Sequence, residues 1–292
     1  MSDHVRGSLL LIGAALAWSV GGLLIKLIGL DGLPLAGARS GIAAIPIGLW
    51  LRYGPRPAGG DRVRGRLTLP VLAGSIAYAG TVILFVMATK QTTAANAILL
   101  QYTAPVWVAI LSPLLLRESI GRVDVAAITL TLVGMAIFFV DDVSTAARLG
   151  DLLGIASGVF FAGCILALRY GRAGAGGWMV FYGNVLAALV GLPFLIGVSL
   201  PTGDLLPLVG LGVGQLGLGY LLFMLGIRHV SAVEGALIPV IEPILNPLWV
   251  LLAIGERPSL YSVLGGGIVL LAVGGRAWVL GRRIHRSDIN PR

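Results

Sequence analysis

Charge and cysteine are scarce in this chain of 292 residues. Charged residues make up 12% of it, about half the share in an ordinary soluble domain, so they are too few to cover a globular surface. The single cysteine, Cys164, excludes an intrachain disulfide and a cysteine-rich metal site. The three histidines lack the spacing of metal ligands, so we expect no metal site. Hydrophobicity this high also excludes intrinsic disorder.

Motifs that carry catalytic or ATP-driven chemistry are absent as well. The sequence has no G-x-x-x-x-G-K-[ST] loop, so no ATP site is expected. It has neither the regular arginine series of a voltage sensor nor a filter-like loop. We expect no catalytic residues and no cofactor, because acid–base chemistry needs more than one ionisable group at one depth. A membrane enzyme or scaffold, the alternative from another class, would require a reactive constellation or a docking domain.

Long apolar runs dominate what is present. Hydrophobic residues make up 57% of the chain, and the mean hydropathy is +0.94. These values predict an all-α integral membrane protein, and each of ten runs reaches the length of about 20 residues that spans a bilayer. The predicted spans are 8–28, 33–51, 69–88, 94–115, 122–140, 151–169, 177–197, 205–225, 231–252 and 260–280.

The basic residues indicate how these spans are oriented. Most of the 21 lysines and arginines fall in alternate connecting segments, whereas the segment 141–151 is acidic. By the positive-inside rule, this pattern predicts that both termini are cytoplasmic. The net charge of +8 is then explained by membrane orientation, and we expect no nucleic-acid partner.

An internal repeat divides the chain into two halves, 1–141 and 142–292. Sliding the sequence on itself aligns a long stretch without gaps, and a second stretch aligns at a slightly different offset. Each half carries five predicted spans, so the second half should be inverted relative to the first. Inverted repeats are typical of secondary transporters, with the substrate site near the midplane between the halves. Matched pairs include Lys90 and Arg228, Pro105 and Pro243, Glu118 and Glu256, and Trp18 and Phe161.

Two matched segments carry a family resemblance. Residues 104–107 (Ala-Pro-Val-Trp) and 241–244 (Ile-Glu-Pro-Ile) place a proline inside a helix, and a glycine-rich final helix follows the second. This pattern resembles the EamA-type domain, two of which form a ten-helix member of the drug/metabolite transporter superfamily. The whole chain is most similar to the bacterial YddG-type exporters of aromatic and other amino acids. The resemblance implies an inner-membrane exporter with a central cavity lined mainly by spans 1, 3, 4, 6, 8 and 9.

Glu242 is the sharpest candidate for a substrate-binding side chain. A carboxylate in the middle of a span is costly and must face protein or water. It would bind a substrate ammonium group or a proton, and Asn246 lies one turn later on the same face. In the alternative interpretation, Glu242 is a packing residue that is neutral or paired with Lys26 or Arg39. Lys26 and Arg39 themselves lie near outer ends, where long cationic side chains can snorkel.

Prolines interrupt the same span. Pro239, Pro243 and Pro247 each remove a backbone hydrogen bond, so carbonyl groups can face a wet cavity. Together with Pro105 in the matching span of the first half, they are predicted hinges.

Further substrate-facing candidates are aromatic and amide side chains near the middle of the runs. An aromatic ring at midplane would suit an apolar or aromatic substrate side chain, and an amide would offer neutral hydrogen bonds. Each of them has a plain alternative, a packing contact or hydrogen bond between helices. They are Trp18, Tyr78, Gln101, Tyr102, Phe161, Gln215 and Tyr220.

The sequence therefore predicts a secondary transporter that exports small amphipathic metabolites, foremost amino acids, by alternating access. Export of cationic drugs or quaternary amines is the alternative, because Glu242 and nearby aromatic rings would bind a cation. Proton coupling and facilitated diffusion both stay open, and the oligomeric state is not predicted.

Overall fold

The computed structural model describes residues 3–54, 67–115, 121–141, 145–170, 175–226, 229–230 and 238–289. All regular secondary structure within these ranges is helical. The matched residues Glu118 and Arg228 lie outside the described residues.

Thirteen α-helices follow one another along the described part of the chain. They are α1 (Asp3–Ser19), α2 (Gly21–Leu27), α3 (Gly32–Tyr53), α4 (Leu69–Gln91), α5 (Ala94–Gln101), α6 (Ala104–Leu115), α7 (Arg122–Asp141), α8 (Thr145–Tyr170), α9 (Ala175–Gly191), α10 (Thr202–Val209), α11 (Gly219–Gly226), α12 (Ile241–Ile254) and α13 (Leu260–Ile289). A π-helical segment, Gly210–Leu218, joins α10 to α11. Two 3₁₀ turns, Leu192–Leu195 and Ile238–Val240, follow α9 and precede α12.

Seven helical stretches among the described residues are long and apolar enough to cross a membrane. Two shorter apolar helices, Ile238–Ile254 and Leu260–Arg276, follow them. The composition and the helix lengths are therefore those of a multi-pass membrane protein. The count of ten spans stays a prediction. The seven stretches are Asp3–Leu27, Gly32–Tyr53, Leu69–Gln91, Ala94–Leu111, Ala147–Ala167, Ala175–Leu195 and Thr202–Gly226.

The two proline-bearing segments depart from regular α-helix at matching positions, which we call the helix breaks. In the first half, Tyr102 and Thr103 separate α5 from α6. In the second half, the 3₁₀ turn Ile238–Val240 leads into α12. A proline lacks the N–H group and clashes with the preceding turn, which accounts for breaks just before Pro105 and around Pro239.

The two halves of the chain interlock. Helix α4 packs along α8, α3 packs along α9, and α1 packs against α11 and α12. Backbones touch where α3 meets the end of α9, because a Cβ atom on Gly37 would stand only 2.5 Å from the Cα of Gly191. Small residues permit this approach. The most extensive helix packing is therefore between the halves, whereas one large buried apolar cluster lies mostly within the first half.

Candidate functional site

Tyr102 joins the two helix breaks. Its hydroxyl lies 2.8 Å from the backbone oxygen of Pro239 and 2.8 Å from Oε2 of Glu242. Glu242 is 8% exposed and stands in the first turn of α12, while Tyr102 belongs to the link between α5 and α6. One side chain thus connects the link between α5 and α6 in the first half to the 3₁₀ turn and the first turn of α12 in the second.

The two contacts of Tyr102 constrain the protonation of Glu242. A phenol has a single proton to donate, and a backbone carbonyl can only accept. When Tyr102 donates to the Pro239 carbonyl, the contact with Glu242 is a hydrogen bond only if the carboxyl group carries a proton and donates it. When Glu242 is ionised, Tyr102 donates to it and the carbonyl loses this donor. The geometry therefore links a proton on Glu242 to the backbone at the helix break.

Aromatic rings from both halves lie beside this link. The Tyr220 ring centroid is 5.0 Å from that of Trp18 and 5.2 Å from that of Tyr78, and Trp18 also lies 5.3 Å from Phe223. These separations are typical of favourable ring pairs. The indole Nε1 of Trp18 is buried and has no hydrogen-bond partner among the described residues. We call Trp18, Tyr78, Tyr220 and Phe223 the aromatic cluster.

Arg39 is a buried cation next to the aromatic cluster, and the sequence-based interpretation of it as a snorkelling side chain is wrong. It is 1% exposed, and it donates to the backbone oxygen of Val82 at 2.9 Å and to Oε1 of Gln215 at 3.5 Å. Val82 lies one turn after Tyr78 on α4, and Gln215 precedes Tyr220 by five residues, so both partners place Arg39 near these two rings. Close helix packing explains the position, because Gly212 lets the π-helical segment approach α3 at Arg39: a Cβ atom on Gly212 would stand 2.9 Å from the backbone oxygen of Arg39.

Two amide side chains support this arrangement. Gln215, on the π-helical segment, is 6% exposed and accepts from Arg39. Asn184 on α9, to which the sequence assigned no role, donates to the Tyr78 hydroxyl at 3.0 Å and to the backbone oxygen of Val180. Its bond fixes the direction of the phenol within the aromatic cluster.

Other candidates from the sequence take part in packing instead of joining Tyr102 and Glu242. Gln101 donates to Oγ of Ser157 on α8 at 2.8 Å. Phe161 packs against a buried cluster that includes Tyr78 and Cys164. These two positions favour the plainer alternative, a contact between helices.

Asn246 is fully buried one turn beyond Glu242, close to Gly22 on α2. Both of its amide atoms are without a hydrogen-bond partner among the described residues. The predicted hinges occupy distinct places: Pro239 lies in the 3₁₀ turn, Pro243 is buried in α12, and Pro247 lies further inside α12. The structure describes the backbone of Pro105, at the second position of α6, but not its side chain.

A second polar region closes the other end of α12. Nζ of Lys26 lies 2.8 Å from Oε2 of Glu256 and donates to the backbone oxygen of Thr92. Glu256 also accepts from the backbone N–H of Ala94 at 2.8 Å. We call Lys26, Thr92, Ala94 and Glu256 the seam, since it joins the ends of α2, α5 and α12.

An apolar cavity of about 250 Å³ lies between α5, α12 and α13. Its lining includes Leu99, Ile244 and Leu251, and it contains none of the polar side chains described above. Such a lining suits a lipid tail or the packing of a neighbouring helix rather than a polar metabolite. The described residues contain no group of histidine, cysteine or acidic side chains arranged to hold a metal ion.

Comparison with known families accounts for the appearance of a helix break in each half of the chain. The model of the EamA-like transporter family matches twice, over residues 5–140 and 148–275. The chain belongs to the EamA-like transporter family. Both repeats predicted from the internal alignment are thus copies of one family domain, while the boundaries 1–141 and 142–292 stay a prediction.

Curated relatives of this EamA-like transporter are themselves described as transporters. An uncharacterized transporter of Archaeoglobus fulgidus is 28% identical over 194 residues, which cover 66% of this chain and 70% of that protein. The uncharacterized transporter YxxF of Bacillus subtilis is 25% identical over 212 residues, which cover 68% of this chain and 66% of that protein. These names accord with a membrane transporter that is not an enzyme and leave the substrate class undetermined.

A solved crystal structure shares the fold. It superposes with a TM-score of 0.64 at 22% identity, over 96% of this chain and 99% of that chain. The match shows the fold of the EamA-like transporter and nothing about its substrate.

Proposed function

We propose that this EamA-like transporter exports small amphipathic metabolites, foremost neutral or aromatic amino acids, by alternating access. The observation that supports the proposal most is the meeting of the two helix breaks at Tyr102 and Glu242, beside the aromatic cluster. Discontinuous helices at a repeat interface are where secondary transporters bind substrate. Glu242 would bind the ammonium group, and the rings would receive an apolar side chain.

The proposed topology has ten spans in two inverted repeats, with both termini in the cytoplasm of a bacterial cell. The proposed substrate site lies near the midplane. Rocking would expose the site alternately to the two sides, with the breaks at Pro105 and around Pro239 and Pro243 absorbing the change. Under this topology the seam lies at the outer end and is closed in the present conformation. Export then requires Lys26 and Glu256 to part.

Proton coupling is part of the proposal. An ammonium group needs the ionised carboxylate, so its binding would release a proton held on Glu242. The titratable side chains near Glu242 are Tyr102 on the α5–α6 link and Tyr220 on α11, whereas Lys26 on α2 is held by Glu256 at the seam. Substrate and proton would therefore occupy Glu242 in turn, as exchange requires.

Export of cationic drugs or quaternary amines is the second candidate. A carboxylate next to the faces and edges of Trp18, Tyr220 and Phe223 is also the chemistry that holds an organic cation. Arg39 opposes this candidate, because a cation beside the aromatic cluster would be repelled by the buried guanidinium.

Flux in proteoliposomes tests the proposal. The wild type and Glu242→Gln are compared on labelled neutral amino acids and organic cations, with and without a pH gradient. We expect the wild type to move amino acids faster when protons can be exchanged, and Glu242→Gln to lose this stimulation because an amide has no proton to exchange.

The matched control is Asp204→Asn, an acidic residue at the start of α10 whose replacement leaves Glu242 untouched. Flux of cations alone would transfer the proposal to the second candidate. Amino-acid flux by Glu242→Gln at the wild-type rate, with the same response to pH, would contradict the role assigned to the carboxylate.

A further inference from the structure

Arg39 has an unusual environment for a cation at membrane depth. A guanidinium group stays charged in proteins, and a charge within the bilayer is paired or functional. Yet the described residues provide Arg39 with no carboxylate: its partners are the Val82 carbonyl and the amide oxygen of Gln215. Its Nε is buried without a hydrogen-bond partner among them.

The capacity of Arg39 for hydrogen bonds exceeds what the described residues provide. A guanidinium has five N–H donors in a planar fork. In Arg39 two of these donors have a partner, and one of the two contacts is 3.5 Å long. Planar carboxylates fit this fork with two parallel hydrogen bonds. The remaining donors are thus suited to an anion of that shape.

The position of Arg39 relates this capacity to the proposed substrate site. Gln215, which accepts from Arg39, lies beside Gly21 of α2, and the next residue, Gly22, lies beside Asn246, one turn from Glu242. Tyr220 is the ring between Trp18 and Tyr78 in the aromatic cluster. Arg39 comes from the first repeat, whereas Gln215 and Tyr220 come from the second. The cation and the buried carboxyl group therefore belong to one buried region at the interface of the repeats, linked through Gln215, α2 and Asn246.

We propose that Arg39 binds the carboxylate of the transported substrate, so that the substrate class is the zwitterionic amino acid with an apolar or aromatic side chain. This inference rests on the proposed function, because it takes the aromatic cluster as the substrate site. Glu242 binds the ammonium end, Arg39 binds the carboxylate end, and the rings contact the side chain. Quaternary amines satisfy only Glu242 and leave Arg39 unpaired.

Three ligands of similar shape distinguish the ammonium end of the site from its carboxylate end. Phenethylamine carries the ammonium group alone, 3-phenylpropionate carries the carboxylate alone, and phenylalanine carries both. Binding to the purified full-length protein in lipid nanodiscs is measured by isothermal titration calorimetry for the wild type, Arg39→Gln and Arg39→Lys. Arg148→Gln is the matched control, because it removes a positive charge from an exposed position on α8.

We expect Arg39→Gln to weaken the binding of phenylalanine and of 3-phenylpropionate by about 10- to 100-fold, the range for losing a hydrogen bond to a charged group. Phenethylamine should bind at least as tightly as to the wild type, because the guanidinium that repels its ammonium group is gone, and this binding also shows that the variant is folded. Arg39→Lys should show the same selective loss to a smaller degree, because it keeps the charge without the planar fork. It serves as the test if Arg39→Gln does not fold.

Equal weakening of all three ligands, or no weakening in either variant, would overturn the assignment, as would a wild type that binds neither carboxylate. Flux of the same ligands in proteoliposomes separates this inference from the proposed function. Transport that does not depend on Arg39 leaves the proposed function standing without the carboxylate site. Binding that depends on Arg39 without any transport leaves the site standing and removes the proposed function.

Discussion

Two carboxyl groups at opposite ends of α12 have contrasting surroundings. Glu242, in the first turn, is 8% exposed and has a tyrosine hydroxyl as its hydrogen-bond partner. Glu256, just beyond the last turn, meets the ammonium group of Lys26 and the backbone N–H of Ala94. The two residues are separated by 14 positions, which correspond to about 21 Å along a helix axis.

The difference separates a carboxylate that holds structure from one that is available for chemistry. Glu256 has its negative charge neutralised by a partner of the protein, so it stabilises the closed seam. Glu242 has no cation beside it among the described residues, so a proton or a cationic group from outside can neutralise it. An acidic residue in a membrane protein is thus understood from its partners more than from its depth.

Neutralising the two carboxylates separately should produce the largest contrast. Glu242→Gln removes the charge that would bind an ammonium group, so we expect flux of amine-bearing substrates to fall by about 100-fold. Glu256→Gln weakens the seam and should leave flux within a few-fold of the wild type. Flux assays at equal protein density check both, and similar losses in the two variants would remove the distinction.

Reversing the charges of the seam should have an intermediate effect. Lys26→Glu places two carboxylates together, and because the pair is partly exposed we expect a loss of about 1–2 kcal/mol in the free energy of unfolding. The double variant Lys26→Glu with Glu256→Lys should recover part of that loss, because opposite charges meet again.

Thermal unfolding of the single and double variants in one detergent measures the recovery. If the double variant loses as much free energy of unfolding as Lys26→Glu and Glu256→Lys lose together, the ion pair contributes nothing to the seam.

Removing one hydroxyl should have the smallest effect. Tyr102→Phe deprives the Pro239 carbonyl and Glu242 of their shared partner, so we expect substrate flux to fall by about five- to tenfold. The stability of the seam should not change, because Tyr102 does not contact it. Flux together with thermal unfolding tests this, and a variant with normal flux would show that the link between the breaks is dispensable.

The helix breaks illustrate what the sequence could provide. Prolines at matched positions predicted weakened helices in both halves, and the described residues depart from regular α-helix just before Pro105 and, in the 3₁₀ turn Ile238–Val240, shortly before Pro243. The family membership was likewise accessible, since the resemblance depended on these same segments. Both inferences use local chemistry, because a proline disrupts a helix wherever it is placed.

Arg39 and Tyr102 illustrate what the sequence could not provide. A span that is apolar all round has no polar face to show which side meets protein and which meets lipid, so Arg39 was assigned to the interface by its distance from the helix end. The contact of Tyr102 with Glu242 joins residues 140 positions apart, and only tertiary packing brings them together.

The backbone contact between Gly37 and Gly191 bears on the ancestry of the chain. It fastens a helix of the first repeat to a helix of the second, as do the pairings of α4 with α8 and of α1 with α11. A protein of half this length would leave those faces without partners. If the two repeats descend from a duplicated gene, the ancestral product must have assembled as a pair before the copies were fused.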